Sequence, residues 1–186
     1  MEKIDVVIGV FADHQTAETA IKKLAVEGFA MQIISVIGRG YPAGEKVIGL
    51  YSSGDHIKFW GVRSGFWGGL WSLFSNKAFM ILPTSESVVV LGHLASDAIS
   101  AAENGASVGE LGAIGAALCT VGVPKHKLSE YESDIKADNF LVMVRSIPED
   151  AVHAREILGT ASPIRLDVHR DVMNTTMTDL SFTAKA

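Results

Sequence analysis

The chain of 186 residues is poor in cysteine and in charge, and it lacks a long uncharged run. Each absence removes a class of answer. A single cysteine excludes an internal disulfide framework and a multi-cysteine zinc site. Charged residues make up 20%, with 16 Lys+Arg against 21 Asp+Glu and no basic cluster, so nucleic acid is not an expected partner. A membrane-spanning helix needs roughly 18 or more largely uncharged residues. The longest uncharged runs, Ser64–Asn76 and Leu111–Pro124, fall short, and Arg63 and Lys77 interrupt the apolar stretch Phe59–Leu82. The opening Met1-Glu2-Lys3-Ile4-Asp5 carries an acid with no small-residue cleavage site after it, so a strand is expected there, not a signal peptide. A cytoplasmic location is the expectation, with membrane association as its alternative.

What the chain has in excess is apolar surface. Hydrophobic residues make up 48% and the mean hydropathy is +0.27, which is incompatible with a disordered chain. The length suits one domain with an elaboration. The excess must be buried in a core, against a partner subunit or in a bilayer.

The two ends of the chain share a grammar. Ile4–Val10 is a β-branched run read as a strand; Asp13 caps a helix with Ala17, Ile21 and Leu24 on one face and Gly28 as its stop. Met31–Ile37 is a second strand, broken by Gly38-Arg39-Gly40-Tyr41-Pro42, and Lys46–Tyr51 is a candidate third. Toward the C-terminus, Pro124 starts a helix to about Ala137, Phe140–Arg145 is a strand, and Pro148 starts a helix ending at Gly159. Ile164, Leu166 and Val168 then alternate with Arg165, Asp167 and His169, the mark of a half-exposed strand. These β-α pairs predict an α+β fold, a ferredoxin-like split β-α-β sandwich with an inserted glycine-rich, Trp-rich helical hairpin. The expected division is a first β-α-β half at 1–53, the apolar helical insertion at 54–122, a second α-β-α-β half at 123–170, and a loose tail at 171–186. Within the insertion, Phe79–Leu82 and Val88–Leu91 around Pro83 are ambiguous between helix and strand. Leu94–Glu103 reads as a helix closed by Asn104-Gly105, and Ser107…Glu110 has capping-box spacing for the next one.

The most informative stretch is Trp60–Asn76. At 100° per residue, Trp60, Trp67, Trp71 and Phe74 form one stripe, widened by Phe59, Phe66 and Leu70, while Gly61, Gly65, Gly68, Gly69 and Ser72 form another. Gly61-x-x-x-Gly65-x-x-x-Gly69 is a doubled small-xxx-small pattern that lets backbones approach. A glycine inside a helix costs roughly 0.5–1 kcal/mol against alanine, which close packing must offset. Gly109, Gly112, Ala113, Ala116 and Thr120 read as a matching small stripe on a later helix. Arg63 lies in the aromatic stripe, where it would stack on a tryptophan, reach a lipid headgroup or simply stand in solvent. The ladders therefore mark a helix–helix contact, within the chain or between subunits, or a lipid contact.

Catalytic signatures are sparse. No two of the six histidines stand at a helical metal-ligand spacing, and Gly38-Arg39-Gly40 lacks the rest of a dinucleotide fingerprint. Asp55-His56 beside Gly54 reads as an exposed cap before the Trp60 helix or as candidate ligand residues. The i, i+4 pair His93 and Asp97 reads as a polar pair at a subunit contact or as a candidate site for a metal or a proton. Cys119, among small apolar residues, reads as core. No catalytic residue, metal or cofactor is expected, and the chain reads as a non-enzyme.

The pattern Ala17-Glu18-x-Ala20-Ile21-x-x-Leu24-x-x-x-Gly28-Phe29, the block Gly54-Asp55-x-x-Lys58-x-Trp60-Gly61, and Phe66-Trp67-Gly68-Gly69-Leu70-Trp71 resemble a bacterial general stress protein family of uncharacterised function. The likeness resumes at Gly122-Val123-Pro124-Lys125 and at Tyr131-Glu132…Lys136-Ala137-Asp138-x-Phe140. Many members of that family are labelled membrane proteins by hydropathy, and it supplies no catalytic residues. Its relatives fill the centre with an almost uncharged Gly/Pro-rich run. Here the centre holds Lys77, Glu86, His93, Asp97 and Glu103, groups costly in lipid. The expectation is a stress-type protein whose partner is itself, as a homo-oligomer or larger assembly. The alternatives are a peripheral or re-entrant contact with membrane lipid and a small-ligand-binding regulatory module.

Overall fold

The computed structural model describes residues 3–40, 67, 69–70, 79–82 and 88–172. Strand β1 (Ile4–Phe11) is buried at every position from Asp5 onward, which tells that both of its faces are covered. Asp13 then caps α1 (His14–Val26), accepting the Thr16 N–H at 2.8 Å. A single 3₁₀ turn occupies Met31–Ile33, so β2 begins at Ile34 and not at Met31, and it runs to Arg39. The two ambiguous runs are both strands, β3 (Phe79–Leu82) and β4 (Val88–Gly92), paired antiparallel. The expected helical insertion at 54–122 therefore contains a β-hairpin. Three helices follow, α2 (His93–Glu103), α3 (Ala113–Thr120) and α4 (Lys125–Lys136). The described residues end with β5 (Phe140–Ser146), α5 (Pro148–Gly159) and β6 (Arg165–Val172). Strand β6 takes in the first two residues of the expected tail; the rest of that tail lies outside the described residues.

The fold is mixed α+β. All pairings in the six-stranded sheet are antiparallel, in the order β3-β4-β2-β5-β1-β6. Alternate residues of β1, β2, β4 and β5 feed two cores. Val7, Val36, Val89, Val142 and Val144 pack with α1 and α5 on one face; Val6, Ile8, Ile37, Val90, Leu141 and Met143 pack with α2, α3 and α4 on the other. The sheet thus lies between two helical layers. No helix among the described residues is long and apolar enough to cross a membrane.

The α2 to β4 join is tight. Gly92 has φ +109°, and a Cβ there would sit 2.5 Å from the Ile34 carbonyl oxygen, so only glycine fits. The cap for α2 comes from another element, because Ser35 Oγ on β2 accepts the Leu94 N–H at 3.0 Å. The expected small stripe on α3 is only half helical. Gly109 and Gly112 precede the helix with φ of +67° and +56°, a loop conformation that their helical spacing concealed. Nor do Ser107 and Glu110 cap α3, whose N-cap is Gly112 with no side-chain bond. Instead Glu132 Oε2, reaching from α4, accepts the N–H groups of Glu110 and Leu111. The glycine that close packing demands is Gly115, where a Cβ would lie 2.0 Å from the Val108 carbonyl oxygen.

Candidate functional site

Helix α4 turns Leu128, Tyr131 and Ile135 inward at i, i+3 and i+7. That stripe lays Tyr131, fully buried, over the sheet face of β6 that carries Arg165, Asp167 and His169. The polar face of β6 is therefore covered by α4, and a polar cluster forms at the cover. The Tyr131 hydroxyl donates to Asp167 Oδ2 at 2.9 Å and lies 2.9 Å from His169 Nε2. A tyrosine has one proton, so full pairing requires His169 to carry its hydrogen on Nε2 and donate it to the Tyr131 oxygen. Arg165 Nε donates to Asp167 Oδ2 at 2.9 Å, and its terminal nitrogen donates to Asp134 Oδ2 at 2.7 Å. Its guanidinium carbon stands 5.5 Å from the Tyr131 ring centre. Lys127 bonds Glu130 at 2.8 Å and approaches Asp167 Oδ1 at 3.8 Å.

The electrostatics follow from this crowding. Burial pushes the Asp167 carboxyl up, but hydrogen bonds from Arg165 and Tyr131 and the Lys127 charge outweigh it and hold it below its usual range. Burial, with the bond to Asp167, pushes the Tyr131 hydroxyl far above the ordinary tyrosine value. Burial likewise lowers the His169 imidazole, against the opposing pull of Asp167. The hydroxyl of Tyr131 is held protonated, and the Asp167 carboxylate is occupied by donors from Tyr131 and Arg165. The cluster fastens α4 to β6 through side-chain bonds.

Among the expected ligand residues, His93 and Asp97 do face each other on α2, with Nε2 and Oδ2 3.9 Å apart. Burial raises the Asp97 carboxyl, and the charges of His93 and Arg145 oppose it. His93 also lines a cavity of about 340 Å³ with Gln32, Ser35, Met143 and Arg145. Asp55 and His56 lie outside the described residues, as do Trp60, Gly61, Arg63, Gly65, Phe66, Gly68 and Trp71. Trp67, expected at an oligomer or membrane contact, is a core residue of this chain: fully buried, its indole N–H donates to the Arg39 carbonyl oxygen at 3.1 Å. Leu70 is buried beside it and Gly69 is exposed. Ala113 and Ala116 are likewise covered within the chain, in one core with Ala95, Ala98 and Ala101 of α2, so their small stripe serves an internal helix contact. Cys119 is buried as expected, and burial raises its thiol against the opposing charge of Lys125. Among the described residues no group of three or more His, Cys, Asp or Glu side chains is arranged to hold a metal ion.

Periodicity missed Tyr131, Arg165, Asp167 and His169 as a group. The alternation in β6 placed its three polar residues on one face, but nothing local tells which helix covers that face. Compared with protein-family models, curated proteins and solved structures, the chain gives no match.

Proposed function

We propose that this chain is a non-enzymatic, stress-type protein that assembles with itself through the glycine side of the segment Trp60–Asn76. The platform is a ferredoxin-like split β-α-β unit, a reading supported by the partial strand order β2-β5-β1-β6 with α1 and α5 as crossovers. One observation carries the assembly. At 67–70 the chain is helical where described, with Trp67 and Leu70 turned into the core and Gly69 turned out. Among the described residues a Cβ on Gly69 would meet nothing nearer than Glu18 Oε1 at 3.9 Å, so none of them packs closely on the glycine. By helical period Gly61 and Gly65 belong to the Gly69 side, and small residues in that series suit the close approach of a second helix. The stress-type character rests on the family resemblance alone.

Size measurement in detergent-free buffer tests the assembly. The wild-type chain should elute and scatter as an oligomer, and Gly69→Leu should shift it to a smaller species with its unfolding midpoint retained. A wild-type monomer, or a variant of unchanged size, overturns the proposal.

A further inference from the structure

We propose that a cavity between the N-terminal half of α5 and strands β1 and β6 is a binding site for a small organic anion, a carboxylate head on a short apolar body. The cavity measures about 280 Å³ and is framed by three elements. From α5 come Pro148, Ala151, Val152 and Arg155, the i, i+3, i+4, i+7 series that makes one helix face. From β6 come Val168 and Arg170, two residues apart and hence on one side of the strand. Lys3 and Asp5 complete the rim from the start of the chain.

Charge and apolarity are separated in a way that selects a ligand. The chain carries a net −5, yet here three cations converge against one acid, Asp5. Lys3 and Asp5 already have partners. Arg155 and Arg170 have none among the described residues, so two exposed guanidinium forks from different elements share one cavity whose single lining acid, Asp5, is already engaged. Planar guanidinium groups pair with carboxylate and phosphate oxygens in two-pronged geometry. The remaining walls are apolar. Ala151 is 2% exposed, whereas Val152 is left 59% exposed at the mouth, an apolar surface that an anion with a hydrocarbon body would cover. The volume is just under the roughly 300 Å³ at which small-molecule sites begin, which limits the ligand to a short chain. The site is independent of the assembly reading, since Gly69 does not line it.

Titration of the full chain with hexanoate, followed by amide NMR shifts, tests the site. Saturable shifts centred on Ala151, Val152, Val168 and Arg170 are expected. Arg155→Gln and Arg170→Gln should each weaken binding about tenfold or more, while their unfolding midpoints stay at the wild-type value. Inorganic phosphate and hexylamine are the comparison arms, and both should bind at least tenfold more weakly. Equal binding of phosphate would remove the apolar body from the proposal, and equal binding of hexylamine would remove the anion. No saturable shift, or shifts unaffected by both arginine variants, overturns the site altogether.

Discussion

The two helical layers solve the same problem by different chemistry. On one face, α1 and α5 are ordinary amphipathic helices, each burying four residues and leaving the rest to water. On the other, α3 buries all 8 of its residues and meets α2 through alanines. The first layer follows from the β-α-β connections, which return each strand's helix to the sheet. The second is supplied by the stretch that makes the chain so apolar, and it covers the face of the sheet that the first layer leaves bare. Much of the hydrophobic excess at 93–123 is therefore consumed inside the chain, without a partner subunit or a bilayer. Packing carried by small residues is also less forgiving than packing by a stripe of leucines, because a backbone cannot rotate out of the way.

That contrast is open to the most damaging test at Gly115. An added methyl must displace the Val108 carbonyl oxygen, 2.0 Å from the new carbon, so Gly115→Ala should cost more than about 3 kcal/mol in urea unfolding. The matching change in the first layer is Gly28→Ala after α1, where φ is +92° but nothing among the described residues lies within 4 Å. Only backbone strain opposes it, about 1–2 kcal/mol. Equal losses would mean that the second layer yields as easily as the first.

A smaller effect comes from the polar fastening of each layer. Tyr131→Phe removes the one hydroxyl that Asp167 and His169 share, leaving two partly buried groups short of a partner, at about 1–3 kcal/mol. Faster hydrogen exchange should be confined to β6 and α4. The counterpart on the other layer is Lys23, whose ammonium reaches the carbonyl and hydroxyl of Thr160 from an exposed position. Lys23→Met should change stability by less than about 0.5 kcal/mol. A Tyr131→Phe variant as stable as Lys23→Met would show the cluster to be incidental.

The helices of the first layer were legible in the sequence, as were α2 and α4 of the second; β4 and the glycine loop before α3 were not, for physical reasons visible in single residues. Asp13, Gly28 and Pro148 announce helix ends through local backbone chemistry, which needs no knowledge of the rest of the fold. Val88–Gly92 is buried on both faces, so it shows no alternation, and a continuous apolar run of that length does not distinguish strand from helix. Gly109 and Gly112 keep the spacing of a helical stripe, but spacing does not report φ. Gly115 stands in the same run with nothing to mark it, because its constraint is the Val108 carbonyl oxygen arriving from the preceding loop. The Tyr131 cluster joins residues more than thirty positions apart, beyond any local period.

The mildest expected difference between the layers is their response to acid. His169 has its folded-state pKa lowered by burial, so below the ordinary histidine value near 6.5 the unfolded chain binds a proton that the folded chain resists. Its contribution is whole above that value and is lost as pH falls through the folded-state pKa. Asp167 is also depressed in the fold, so its contribution is present above the ordinary aspartate value near 3.9 and lost as pH falls through its own lower one. The two windows lie at different pH, which separates them experimentally. Stability measured from pH 7 to pH 5 should decline gently in the wild-type chain, and His169→Gln should flatten that decline while leaving the loss below pH 4 in place. An unchanged slope in the variant would assign the mild-acid sensitivity elsewhere and leave burial of His169 without thermodynamic consequence.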